Sequence, residues 1–244
     1  MKPLVIAHRG ASAYAPENTL AAFNLAFEMG ADGIELDVSL TQDGVPVVLH
    51  DDTVDRTTNG RGAINQLTLA QVQQLDASNK MEKYRGEKSP TLEQVLRAVS
   101  ARGIVNIELK NLTLKYDGVE AATLAAIENA GALARVMVSS FNPLALRRMY
   151  QLDPRIPRGL LYRPNLPIYL RRAWLRPLAH PTAMHPHYSM ITRAFMTWAR
   201  GKGYQVNTWT VDDPEETKRL IDLGVDGIIT NKPDALRRIV DSKQ

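Results

Sequence analysis

The 244-residue chain predicts an α/β fold, a (β/α)8 TIM barrel with a small insertion after the second-strand hairpin. Three observations carry that expectation. Short apolar runs alternate with amphipathic stretches almost from end to end, the pattern of parallel strands joined by crossover helices. One pair of runs is joined by a turn too short for a crossover, so nine strand candidates reduce to eight parallel ones. Polar residues gather where the runs end, the side of a barrel on which active sites are built.

The strand candidates are Leu4–Ala7, Gly33–Leu40, Val45–Leu49, Ile104–Leu109, Arg135–Ser139, Gly159–Tyr162, Ala183–His185, Tyr204–Trp209 and Gly227–Thr230. After the first, Asn18 or Thr19 can cap a helix whose apolar side is Leu20, Phe23, Leu25 and Phe27, and Gly30 ends it. Thr41-Gln42-Asp43-Gly44 is hairpin chemistry. A turn centred on Gln42-Asp43 sets Glu35 opposite His50, opposed residues summing to 85. From Asp51 to Ser89 the chain is polar, carries Gly60 and Gly62, and has one helical piece near Leu69–Leu75. A connection that long predicts an inserted subdomain at about 51–89, above the strand ends. Further helices are expected at Thr91–Ala101, Gly118–Ala130, Pro143–Gln151, Ile191–Gly201, Pro214–Leu223 and Pro233–Val240. Proline near the start of several suits the first helical turn. Residues 1–244 read as one domain, without internal repeat or low-complexity tract.

Composition narrows the function. The chain has no cysteine, which excludes disulfides, zinc–thiolate sites, thiol nucleophiles and iron–sulfur clusters. Leu4-Val5-Ile6-Ala7 is too short for a signal-peptide core, and no run approaches the roughly 18–20 apolar residues of a membrane span. A soluble, cytoplasmic protein is expected. A net charge of +4 suits an anionic substrate. The basic residues are scattered apart from one cluster, and no nucleic-acid-binding motif is present.

The chemistry collects at the strand ends. Glu35 and Asp37 are two apart, so on a strand both carboxylates face one side, and Glu108 and Lys110 repeat the spacing. Three carboxylates at a barrel mouth repel unless a cation sits among them, and hard oxygen ligands favour Mg²⁺ or Ca²⁺. Ordinary rim charges paired with Arg9 and Lys110 are the competing explanation. His8 and His50 each end an apolar run, and two imidazoles beside such a cluster can divide general base and general acid work. Arg9 and Lys110 supply positive charge for a phosphoryl group, one as a planar fork and one as a point charge.

His8-Arg9-Gly10, Pro16-Glu17-Asn18-Thr19, Glu35-Leu36-Asp37-Val38, Asp43-Gly44, His50-Asp51 and Glu108-Leu109-Lys110 resemble, in order, the motifs of the glycerophosphodiester phosphodiesterase family. The likeness extends through Ser139-Ser140-Phe141 to Asp226-Gly227-Ile228-Ile229-Thr230-Asn231. It implies His8 and His50 as the acid–base pair, Glu35, Asp37 and Glu108 as ligands of a divalent cation, and Arg9 and Lys110 as phosphate contacts. Glu17 and Asn18 match the helix-opening motif and are expected to orient His8 and its loop, unless they only cap the helix. Trp209 is similar to the aromatic lining the family's glycerol pocket, and Phe141 receives the same expectation. His185 and His187 flank Pro186; His185 can reach the pocket rim, and neither is expected to bind metal.

The implied activity is hydrolysis of small-molecule glycerophosphodiesters, such as glycerophosphocholine or glycerophosphoethanolamine, to sn-glycerol 3-phosphate and an alcohol. The alternatives are a lysophospholipase D-like phosphodiesterase and a catalytically silent phosphodiester-binding barrel. No nucleic-acid partner and no stable membrane insertion are expected. Oligomeric state is not legible. The basic-aromatic stretch at 162–176 leaves two readings open, a segment lying on an anionic membrane surface or a helix covering the sixth strand with its arginines solvated. The covering helix is the expectation.

Overall fold

The computed structural model describes residues 2–111 and 116–242. Its strands are β1 (Leu4–His8), β2 (Gly33–Leu40), β3 (Pro46–Val48), β4 (Ile104–Leu109), β5 (Val136–Ser140), β6 (Arg158–Tyr162), β7 (Ala183–Pro186), β8 (Gln205–Thr208) and β9 (Gly227–Thr230). Eight are parallel neighbours in the order β1-β9-β8-β7-β6-β5-β4-β2, and β1 pairs β2 to close the ring. β3 stands outside it. β2 is long enough to serve both, with residues 33–38 on β4 and residues 38–40 antiparallel to β3.

The helices are α1 (Leu20–Glu28), α2 (Leu69–Gln74), α3 (Leu92–Val99), α4 (Val119–Asn129), α5 (Pro143–Leu152), α6 (Ile168–Arg171), α7 (Arg176–Ala179), α8 (Arg193–Gly201), α9 (Pro214–Leu223) and α10 (Pro233–Ser242). Local chemistry starts them. Thr19, not Asn18, caps α1 by accepting from Ala22 N–H, and Thr91 with Gln94 forms a reciprocal capping box on α3. Proline opens α5 and α9, where a missing N–H costs nothing.

The strands' period of two sorts their side chains. Val5 and Ala7, Ile34, Leu36 and Val38, and Val105, Ile107 and Leu109 join the buried core shared with the helices. Each such side chain removed from water contributes about 1.5–3 kcal/mol. The alternate positions, among them Glu35, Asn106 and Glu108, turn into the ring and line a small cavity at its mouth. The outer layer stabilises the barrel, so the upper interior is free to carry polar groups.

Three expectations change. The hairpin pairs Val38 with Val48, Ser39 with Val47 and Leu40 with Pro46, so opposed residues sum to 86 and not 85. Thr41 N–H donates to Val45 O at 3.1 Å and Gly44 N–H to Thr41 O at 3.0 Å, making a three-residue loop. Gly44 takes its last place at φ +77°, a conformation that suits glycine. His50 lies beyond the ladder, and its opposition to Glu35 does not form.

The second change is the connection from β6 to β7. Instead of one covering helix there are two single turns, α6 and α7. A continuous helix cannot pass Pro177, whose ring would meet the carbonyl four residues back. Ala173, at φ +50°, has already turned the chain away. The third change concerns Glu17 and Asn18 and belongs to the site below.

Residues 51–89 carry a bridge between Thr53 and Ala63, two 3₁₀ turns and α2. Beneath them Val47, Leu49, Val54, Ile64 and Val72 form a small apolar cluster of their own. Among the described residues no helix is long and apolar enough to cross a membrane.

Candidate active site

Strand register brings the polar residues together. His8 on β1 lies beside Glu35 on β2, and Asp37 on β2 lies beside Glu108 on β4. Glu35, Asp37 and Glu108 each offer a carboxylate oxygen within 4.8 Å of the others'. Such a trio is strongly self-repelling. Burial, then the charges of Asp37 and Glu108, pushes the Glu35 carboxyl well above its usual range. Burial, then Asp37, pushes Glu108 up to about 7. Asp37 goes the other way: burial would raise it, but Arg9 and Lys110 outweigh that and hold it ionised.

The two cations meet different oxygens of the trio. Lys110 Nζ is 3.0 Å from Glu108 Oε1 and 3.5 Å from Asp37 Oδ1. Arg9 Nε is 3.1 Å from Asp37 Oδ2, and Arg9 N–H donates to Glu35 Oε2 at 3.1 Å. Arg9 sits at φ +54°, left-handed backbone that costs a non-glycine residue about 1–2 kcal/mol. The turn is locked by its neighbour. Gly10 lies at φ +82°, and a Cβ there would come within 2.6 Å of the Ala22 backbone in α1.

Each imidazole has one nitrogen occupied. His8 Nδ1 is 2.7 Å from Asn231 Oδ1. The Asn231 amide is oriented by its Nδ2–H donating to Asp212 Oδ2 at 2.6 Å, so its oxygen faces His8 as an acceptor. Nδ1 therefore carries the proton, and Nε2 is left as an acceptor 4.0 Å from Glu35 Oε2. Burial, then the Arg9 charge, lowers His8 to about 4, so it is neutral at neutral pH. His50 Nδ1 lies 2.6 Å from Asp51 Oδ1. Asp51, lowered to about 2 chiefly by its hydrogen bond from Arg56, is an acceptor there at neutral pH.

Glu17 and Asn18 touch neither imidazole. Glu17 accepts from Arg9 Nη1 at 2.9 Å and from both terminal nitrogens of Arg56 at 2.7 and 2.8 Å. Asn18, left-handed at φ +61°, donates to Asp37 Oδ2 at 3.0 Å and accepts from Asp37 N–H at 3.4 Å. They hold the loop after His8 through Arg9, whose carbonyl accepts from Asn18 N–H at 3.0 Å, and Asn18 orients Asp37, but the His8 ring itself is oriented by Asn231. The sequence reading missed Asn231 and Arg56. Asn231 closes a noted motif, but its contact with His8 spans 223 positions, and Arg56 lies in the insertion with no motif around it.

Phe141 after β5 and Trp209 after β8 meet edge-on at 5.4 Å. Trp209 lines the small cavity with His8, Glu35, Asn106, Glu108 and Ser139, and its Nε1–H donates to His185 O at 2.9 Å. His185 is fully buried and meets Asn207 Nδ2 at 3.1 Å, so it lies below the rim it was expected to reach. His187 packs on Trp209 and hydrogen-bonds Ser189.

The donor set fits a hard divalent cation. Besides the trio, Asn106 Oδ1 and Ser139 Oγ are buried without hydrogen-bond partners, so the ring interior holds further oxygen donors. With all three carboxylates ionised, as a bound cation would hold them, the trio and the two cationic side chains would sum to one negative charge.

A parallel barrel whose mouth gathers three carboxylates, two cations and two singly tethered imidazoles is built as an enzyme. Residues 8–235 match the glycerophosphoryl diester phosphodiesterase family, and the chain belongs to it. It is 45% identical over 242 residues to a glycerophosphodiester phosphodiesterase of Caldanaerobacter subterraneus subsp. tengcongensis, covering 98% of each chain. It is 32% identical to a glycerophosphodiester phosphodiesterase of Bacillus subtilis, covering 97% of this chain and 86% of that one. Among solved structures, an Oleispira antarctica phosphodiesterase in complex with the product sn-glycerol-3-phosphate is similar at a TM-score of 0.84 and 34% identity. That likeness covers 98% of this chain and 97% of the other.

Proposed function

We propose that this chain hydrolyses glycerophosphodiesters to sn-glycerol 3-phosphate and an alcohol, with glycerophosphocholine and glycerophosphoethanolamine as substrates. The carrying observation is the convergence of Glu35, Asp37 and Glu108 between Arg9 and Lys110 beside two oriented imidazoles. One divalent cation among three ionised carboxylates would leave the site one positive charge, which would balance a phosphodiester monoanion. Glu35, Asp37 and Glu108 would hold that cation, Mg²⁺ or Ca²⁺. When bound, it supplies Lewis-acid stabilisation of charge on the phosphoryl oxygens.

The chain's own residues divide the rest. Arg9 and Lys110 take the non-bridging oxygens. Of the two imidazoles, one takes the proton of the glycerol 2-hydroxyl as that oxygen attacks phosphorus, and the other protonates the departing alcohol. A water, deprotonated by the second imidazole, then opens the cyclic phosphate while the first returns a proton to the 2-oxygen. His8 Nε2 and His50 Nε2 are the free nitrogens for these transfers. Trp209 and Phe141 border the glycerol. Residues 1–244 act as one domain with the inserted segment 51–89 above the mouth, and the lack of cysteine supports a cytoplasmic setting.

A phosphorus NMR time course on glycerophosphocholine tests the proposal. Glycerol 3-phosphate should accumulate with the wild type and not with His50→Ala. Turnover of lysophosphatidylcholine with no turnover of glycerophosphocholine would move the substrate to lysolipids. Phosphodiester binding without turnover of either would make the barrel a silent binder.

A further inference from the structure

The connection from β6 to β7 leaves apolar side chains exposed beside arginines, of which Arg176 also packs over the Trp198 ring at 5.3 Å. Four of the eight large hydrophobic side chains exposed among the described residues lie within this connection: Ile168 at 45%, Tyr169 at 46%, Trp174 at 55% and Leu178 at 38%. Their exposure follows from the broken helix. Ala173 turns left-handed after α6, Trp174 N–H reaches back to Tyr169 O at 2.9 Å, and the indole is left in water. Exposed apolar side chains gathered in one segment, two aliphatic and two aromatic, are the kind of feature by which interaction surfaces are recognised.

The charge around them is one-sided. Between Asp153 and Asp212 the chain has no Asp or Glu but nine Arg or Lys. The rest of the chain therefore holds 21 of the 30 basic residues and all 26 acidic ones, a negative balance in a protein of net +4. Arg163, Arg171, Arg172 and Arg176 flank the exposed aromatics, and among the described residues none of them pairs with a carboxylate within 4.0 Å. Arg163 lies over the Phe141 ring at 5.9 Å, and Phe141 meets Trp209, so this surface runs into the barrel mouth.

We propose that Ile168, Tyr169, Trp174 and Leu178, ringed by Arg163, Arg171, Arg172 and Arg176, form a docking surface for an anionic phospholipid bilayer. Basic side chains provide long-range attraction to acidic headgroups, and Trp and Tyr seat at the headgroup boundary with their polar edges wet. A polyanion such as nucleic acid would use the arginines but gives no reason to expose Ile168 and Leu178. Docking is independent of turnover, so it stands or falls without the phosphodiesterase proposal.

Co-sedimentation with vesicles of phosphatidylglycerol and phosphatidylcholine, against phosphatidylcholine alone, tests this. At low salt the full chain should pellet with the anionic vesicles only, and release as salt rises. Arg171→Gln with Arg172→Gln should weaken binding roughly thirtyfold, from about fivefold for each charge near an anionic surface. Arg172 is exposed and Arg171 half-buried, and among the described residues neither pairs with a carboxylate, so circular dichroism should be unchanged. Tryptophan emission should shift to the blue on anionic vesicles in the wild type but not in Trp174→Phe. Absence of pelleting at low salt, or equal binding by the double variant, would overturn the proposal. Arginine-dependent binding to duplex DNA without vesicle binding would overturn it too and assign the surface to nucleic acid.

Discussion

His8 and His50 are held alike by different neighbours, an amide oxygen at His8 Nδ1 and a carboxylate at His50 Nδ1. Each partner fixes which nitrogen carries the proton, which is what an acid–base role requires. Asn231→Ala should lower kcat about tenfold with little change in KM, because the imidazole stays but loses its orientation. Asp51→Asn should cost more, roughly a hundredfold in kcat, since the amide can present an N–H to Nδ1 and select the wrong tautomer. Steady-state kinetics on glycerophosphocholine checks both, and an unchanged kcat in both variants would remove the histidines from the proposed chemistry. The carboxylates, cations and imidazoles themselves were legible, because strand period and strand ends are local signals. The groups that aim them were not. Arg56 reaches Glu17 across 39 positions, and no local pattern specifies such a contact.

Elements were legible where one local rule decides and misread where two compete. All nine strands and the main helices lie within a residue or two of their predicted bounds, because alternation and caps act over a few residues. The hairpin register shifted by one because Gly44 fits the last place of a three-residue loop better than the flank of a two-residue one. Gly44→Ala tests this cleanly, since a Cβ there meets nothing within 4 Å and only the φ of +77° opposes it. The variant should lose about 1–2 kcal/mol, read as a lower urea midpoint at unchanged slope. An unaltered midpoint would show that the turn is not held as described. The expected helix over β6 does not form because Pro177 interrupts the amphipathic stretch.

At the scale of the molecule, the barrel buries neutral groups that water would charge. Burial lowers His185 to about 4 from an ordinary 6.5. The unfolded chain therefore takes up a proton below pH 6.5 while the folded one does not until about 4, so stability falls as pH drops through that window. Between pH 7 and 5 this one group should remove about 2 kcal/mol. His8 is lowered similarly, so the wild type alone does not isolate the effect. Urea unfolding of His185→Gln should show a fall between pH 7 and 5 that is smaller than the wild type's by that amount. Parallel pH curves would contradict the assignment.

The central claim is that the carboxylate trio works as a divalent-cation site for phosphodiester cleavage. The most direct measurement is release of sn-glycerol 3-phosphate from glycerophosphocholine in Mg²⁺, Ca²⁺ or EDTA, for the wild type and for Asp37→Asn. The expected result is release with at least one cation, loss in EDTA, recovery on adding the cation back, and a drop of roughly a hundredfold or more in the folded variant. Release that ignores EDTA and survives Asp37→Asn would contradict it.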